Sequence, residues 1–273
     1  MSIQSVEATV RSKDGTLIGF IRLGTGPSLV IVHGSITTGD AYLQFANILA
    51  EKFTCYVMDR RGRRRSGDAA DYAIEREYED VQALLKVAGP EAHLFGHSFG
   101  AIIALGAALR SSMGRLILYE PPLPIRGSIA GSMLEIYRTA VEENRLDDAL
   151  VFGLEHFAGT SAEEIALIRS KPQWSRQVYL APTWVRELEA IDNLGPNLDR
   201  YKNLNMPVLL LTGTSSKDYP LRAASEVLST ILPHASLEHL QGQGHTAHLT
   251  APQMLADVVT NFLLATPGQN GKF

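Results

Sequence analysis

Sulfur chemistry is nearly missing from this chain: among 273 residues there is one cysteine, Cys55, so an internal disulfide is excluded. No Cys-x-x-Cys or His-rich spacing marks a metal site either, and nothing in the sequence calls for a cofactor. Cys55 lies in the apolar run 53–58 and reads as a buried packing residue. Long hydrophobic runs are absent too, none approaching the roughly 18 residues that cross a bilayer. The opening Met-Ser-Ile-Gln-Ser-Val-Glu lacks a basic start followed by an apolar segment, so the expectation is a cytoplasmic protein with no membrane partner. Positive charge is in deficit, with 25 Lys+Arg against 29 Asp+Glu and a sequence pI near 6.1. A chain of that balance has no broad field to hold nucleic acid, and a small-molecule substrate fits it better. What is present, 45% hydrophobic and 20% charged residues, suits a globular chain with a sizeable core. Oligomeric state is left open.

Strand-like segments at 4–11 and 16–23 flank Lys13-Asp14-Gly15, whose Asp-Gly signals a hairpin, so the chain should open antiparallel. From residue 28 the pattern changes. Short continuous apolar runs at 28–32, 54–58, 92–95, 116–119, 208–211 and 236–240 read as strands covered on both faces. Between them, segments 39–51, 75–88, 99–110, 221–231 and 252–264 carry apolar residues three and four apart. This alternation predicts an α/β fold with a mostly parallel sheet of about eight strands and helices on both faces. It breaks between Pro121 and Asn205, where helix-like pieces at 129–143, 146–157, 162–169 and 183–194 appear without strands. The expected domains are a core of 1–122 with 206–265, a helical lid of 123–205, and a flexible tail of 266–273. Phe157, Trp174, Tyr179 and Trp184 either line a pocket under that lid or pack it.

The segment Gly96-His97-Ser98-Phe99-Gly100 sits between a predicted strand and a predicted helix, the setting of a nucleophile elbow. Glycines on either side fit a turn too crowded for Cβ atoms. A serine hydroxyl needs a base to take its proton as it attacks. Of the eight histidines, His245 in Gly242-Gln-Gly-His-Thr-Ala-His248 is best placed, between the last predicted strand and the C-terminal helix. Functional groups gather at the carboxyl ends of parallel strands, where Ser98 and His245 would both lie. His248 reads as a structural neighbour, and His97 as a weaker candidate base. A developing oxyanion would take the backbone amide of Phe99 and, from the loop after strand 28–32, that of Ser35.

Taken in order, His33-Gly34, Asp59-Arg60-Arg61-Gly62, Gly96-His97-Ser98-Phe99-Gly100, Tyr119-Glu120-Pro121-Pro122 and Gly242-Gln243-Gly244-His245 resemble the α/β-hydrolase superfamily over nearly the whole chain. The resemblance implies a Ser–acid–His triad that cleaves carboxylic esters, thioesters, lactones or amides through an acyl-enzyme. Similar epoxide hydrolases and haloalkane dehalogenases carry aspartate at the nucleophile position, so Ser98 argues against both chemistries. One departure is Arg64, where many relatives have a small residue. It crowds Arg60, Arg61, Arg63, Arg64 and Arg65 into one loop, either ion-paired or set to recognise an anionic substrate group.

The second departure concerns the acid. The superfamily often places it after the seventh strand as G-x-x-D, but Gly213-Thr-Ser-Ser216 has serine there and the aspartate arrives at Asp218. Glu120 competes with it from the end of the sixth strand, where haloalkane dehalogenases of similar fold can carry their acid. Both satisfy the order Ser, acid, His, and the reading leans to Glu120 without excluding Asp218. A serine hydrolase of a small ester, thioester or lactone is the first expectation. A lyase, elimination or acyl-transfer enzyme on the same triad is the second, and a non-catalytic ligand-binding protein the third.

Overall fold

The structure, a computed structural model, describes residues 4–266. The expected tail at 266–273 lies outside them, apart from Thr266. The described residues divide into two compact units, one of 4–34, 38–122 and 198–266, the other of 35–37 and 123–197.

The first unit is built on an eight-stranded sheet: β1 (Ser5–Arg11), β2 (Leu17–Leu23), β3 (Ser28–Val32), β4 (Thr54–Met58), β5 (His93–His97), β6 (Leu116–Tyr119), β7 (Val208–Gly213) and β8 (Ala235–Leu240). In space the order is β1-β2-β4-β3-β5-β6-β7-β8. The hairpin β1–β2 is antiparallel and joins β4 antiparallel; every later pairing is parallel. This is the α/β-hydrolase fold, with its helical insertion following β6.

Period-two alternation sends the two sides of each strand to different helices. Leu29, Ile31, Phe95, Ile117, Leu209 and Leu211 join one core with Phe45 and Leu49 of α1 (Leu43–Leu49). On the opposite face pack α2 (Ile74–Ala88) and α3 (Phe99–Ala108). Helix α3 is buried along its entire length, which its sequence FGAIIALGAA permits because no side chain in it is polar.

The insertion contains α4 (Met133–Glu142), α5 (Leu146–Gly153), α6 (Ala162–Arg169) and α7 (Trp174–Asn193). Helix α7 begins well before the predicted 183–194, and Pro182 lies inside it. Proline reads as a helix breaker because it lacks the amide proton. Here burial of Trp174, Leu180, Trp184 and Leu188 holds the helix on both sides of it. The insertion has its own core, in which Tyr137, Phe157 and Trp184 meet edge to face with ring centroids 5.5–5.9 Å apart. Trp174 is buried as well and donates through Nε1 to Asp147, whereas Tyr179 is 77% exposed. Three of the four aromatics singled out from the sequence thus pack the insertion itself. The unit ends at Asn197 rather than at 205, because Leu198, Tyr201 and Leu204 are buried in the first unit.

After the insertion the first unit resumes with β7, then α8 (Ala223–Ile231) against β7 and β8. Helices α9 (Ala247–Thr250) and α10 (Pro252–Leu264) follow, and Leu255, Val259 and Leu263 complete the core shared with α1.

Candidate active site

Strands β5, β6, β7 and β8 are consecutive neighbours in the sheet and run parallel, so their carboxyl ends form one row. Ser98 follows β5, Glu120 follows β6, Gly213 closes β7, and His245 lies beyond β8. The sites read from sequence gather there because of sheet order.

Ser98 adopts φ 55° and ψ −127°, a backbone conformation that costs an L-residue energy and persists only where its surroundings fix it. Two glycines allow the turn. A Cβ at Gly96 would stand 2.5 Å from the carbonyl oxygen of Gly100, and one at Gly100 would stand 2.4 Å from that of Val32. The Ser98 amide donates to the Tyr119 carbonyl at 2.9 Å, tying the turn to β6. The serine is half-buried and stands directly before α3. Phe99, the first residue of that helix, has its amide at the N-terminal end, where helix N–H groups lack intrahelical partners and the dipole is positive.

Glu120 also has a left-handed backbone, φ 49°, and its side chain is wholly buried. Two donors reach its carboxylate. The Gly213 amide lies 2.7 Å from Oε1, and His245 Nδ1 lies 2.5 Å from Oε2. Because a carboxylate accepts, the His245 Nδ1 carries the proton and Nε2 is left as the basic nitrogen. Asp218 begins the segment Asp218–Arg222 in an exposed position. The structure therefore brings His245 together with Glu120 at Nδ1. Ser35 is half-buried and belongs to the segment 35–37, which groups with the insertion.

The remaining histidines of this region are buried. His97 has both ring nitrogens engaged, Nδ1 with the Tyr42 hydroxyl at 2.5 Å and Nε2 with the His245 carbonyl at 2.7 Å. Burial, with His245 and His248 nearby, pushes its pKa well below the usual imidazole value, so it stays neutral and is unsuited to be the base. His248 stacks on Tyr42 at 4.2 Å, and burial lowers its pKa to about 3. Sequence reasoning missed Tyr42 and the anchoring roles of Tyr119 and His97. Only His97 carried a signal, its place next to Ser98.

Four of the five arginines in the loop, Arg60, Arg61, Arg64 and Arg65, make ion pairs. Arg60 meets Glu77 through two nitrogens at 3.1 and 2.7 Å, and Arg61 meets Asp80 the same way at 2.7 Å each, all four groups buried. Arg65 bridges Asp59, Asp40 and Glu7, and Arg64 reaches Asp40 at 2.6 Å. Carboxylates already occupy these guanidinium faces, which favours the ion-paired reading over an anion site.

Among the described residues no helix is long and apolar enough to cross a membrane. Comparison with known proteins agrees with the fold. A family model described as the alpha/beta hydrolase family matches residues 29–258. A solved alpha/beta hydrolase from Sphaerobacter thermophilus superposes with a TM-score of 0.86 at 32% identity, covering 93% of this chain and 99% of that one. N-formylmaleamate deformylase of Pseudomonas putida is 28% identical over 233 residues, 81% of this chain and 83% of the relative. An uncharacterized hydrolase of Bacillus subtilis, YraK, is 36% identical over 106 residues, 37% of this chain and 39% of that protein.

Proposed function

The chain belongs to the alpha/beta hydrolase family, and from that premise we propose that it is a serine hydrolase that cleaves a small carboxylic ester, thioester or lactone through an acyl-enzyme on Ser98. The observation that carries this reading is the buried Glu120 carboxylate 2.5 Å from His245 Nδ1. In the neutral imidazole that contact places the proton on Nδ1 and the lone pair on Nε2, the tautomer a serine hydroxyl requires.

In this mechanism Ser98 Oγ attacks the substrate carbonyl while its proton passes to His245 Nε2. Glu120 then faces an imidazolium, and its negative charge stabilises the ion that forms. The carbonyl oxygen becomes an oxyanion, for which the Phe99 amide at the head of α3 is a donor. Each such donor is worth about 3 to 4 kcal/mol to the transition state. When the tetrahedral intermediate collapses, the bond to the leaving group breaks and the His245 Nε2 proton goes to the departing oxygen or sulfur. A water molecule, deprotonated by the same nitrogen, then attacks the acyl carbon and regenerates Ser98. The Pseudomonas putida relative is named as a deformylase of N-formylmaleamate, so N-formyl compounds are to be tried as substrates beside esters.

The test is labelling by a fluorophosphonate probe with turnover of p-nitrophenyl acetate. Wild type should label and turn over; Ser98→Ala should do neither. A protein that never labels at Ser98 refutes the reading and leaves the ligand-binding alternative. Labelling without release of a hydrolysed acid, in the presence of a competing alcohol or thiol, would assign the triad to acyl transfer instead.

A further inference from the structure

The loop that carries His245 has no regular hydrogen-bonded structure from Gln243 to His245, yet each of its three carbonyls is held. The Gln243 carbonyl accepts the Ser215 amide at 2.9 Å, just beyond β7. The Gly244 carbonyl accepts the hydroxyl of Tyr119, the last residue of β6, and that oxygen in turn accepts the Ala247 amide at 3.3 Å. The His245 carbonyl lies 2.7 Å from Nε2 of His97, the last residue of β5. The loop is tied in turn to the ends of β7, β6 and β5.

Of the three ties, the one on His245 itself depends on a protonation state. A carbonyl only accepts, so His97 Nε2 must bear the proton. Nδ1 is then the acceptor, and the Tyr42 hydroxyl 2.5 Å away donates into it. The opposite tautomer would set a lone pair on Nε2 against the His245 carbonyl. The rings facing His97 are Tyr42, Tyr119 at 4.8 Å, His245 at 4.4 Å and His248 at 4.9 Å, with His33 also close enough to disfavour its charge. No carboxylate is among these groups to favour an imidazolium, which agrees with its depressed pKa.

We propose that His97 is a positioning residue of the hydrolytic site: locked by Tyr42 in the Nε2–H tautomer, it pins the main chain of His245 and so keeps that imidazole aligned on Glu120. This rests on the serine-hydrolase reading above. His97 touches neither substrate nor the transferred proton; it acts through His245.

The experiment compares His97→Leu, His97→Gln and Tyr42→Phe with wild type, reading kcat and KM on p-nitrophenyl acetate, thermal melting, and the low-field NMR signal of the proton between His245 and Glu120. His97→Leu should lower kcat about tenfold or more, the worth of one well-placed hydrogen bond, with KM unchanged. It should also broaden or erase the low-field signal. His97→Gln, whose amide N–H reaches toward the same carbonyl, should recover most of both. Tyr42→Phe removes one oxygen and frees the tautomer, so it should show a smaller fall of the same kind; it carries the test alone if His97→Leu fails to fold. A folded His97→Leu with wild-type kcat and signal, or a glutamine variant no better than leucine, overturns the proposal. With a misfolded leucine variant, wild-type behaviour of Tyr42→Phe does so. Ser98→Ala separates the two readings: if it stays active, the hydrolase mechanism itself fails, whereas an inert Ser98→Ala beside a normal His97→Leu refutes only the positioning role.

Discussion

Replacing Glu120 by glutamine keeps the shape of the side chain and removes one acceptor, and the geometry fixes the consequence. Two donors converge on this buried group, the Gly213 amide at 2.7 Å and His245 Nδ1–H at 2.5 Å. A carboxylate accepts both; a glutamine offers one oxygen and one NH2. If the oxygen faces Gly213, the NH2 points at His245 and selects the tautomer with its proton on Nε2, which cannot receive the Ser98 proton. If the oxygen faces His245, the NH2 opposes the Gly213 amide, and an unsatisfied buried donor costs about 1–3 kcal/mol. The first arrangement keeps the fold and loses the base, and a wrong tautomer of this kind lowers kcat by about 10⁴ in the serine-protease triad. Steady-state kinetics on p-nitrophenyl acetate should therefore show Glu120→Gln down by a factor on the order of 10³ to 10⁴ in kcat, with KM little changed. Asp218→Asn, at an exposed position, should stay within about twofold of wild type, the small change expected of a surface substitution. A Glu120→Gln enzyme near wild type, with Asp218→Asn inactive, would refute the assignment of the acid.

The buried histidines predict an acid-side loss of stability. His33, His97 and His248 all have pKa values lowered chiefly by burial, so the folded state keeps them neutral. The unfolded chain protonates them near pH 6.5; stability is thus complete above that pH and falls below it, by up to about 1.4 kcal/mol per pH unit per histidine. Urea titrations between pH 7 and 5 should show it, and a pH-independent unfolding free energy there would refute it. In the arginine loop, Glu77→Ala removes the partner of Arg60 where both are buried, and should cost about 3–5 kcal/mol. Arg64→Ala, at a pair whose arginine side chain is 41% exposed, should cost under about 1 kcal/mol. Equal melting temperatures for the two variants would contradict the burial argument.

The sheet was legible because parallel strands covered on both faces leave unbroken apolar runs, as Thr54–Met58 and Leu116–Tyr119 do. Strand β5 was read two residues short, since Gly96 and His97 look like the start of a turn and yet pair with Leu118 and Tyr119. Helix α7 was halved at Pro182, where local chemistry argues for a break and burial of two tryptophans overrides it. Ser98 was legible because everything its turn requires is local: two glycines, a strand before and a helix after. Which carboxylate meets His245 was not, and for a definite reason. Positions after β6 and β7 both lie in the row of strand ends beside β8, so sheet order admits Glu120 and Asp218 alike. What separates them is the left-handed backbone of Glu120, φ 49°, which no glycine or asparagine announces, and a hydrogen bond to a residue 125 positions away. The same holds for Tyr42, 55 positions from His97, and for His97, 148 positions from the carbonyl it holds. The proposed nucleophile carries a local signature because its turn must be built locally. Residues that hold the site in place are recognised by the atoms they meet, and those meetings exist only once β5, β6, β7 and β8 are laid side by side.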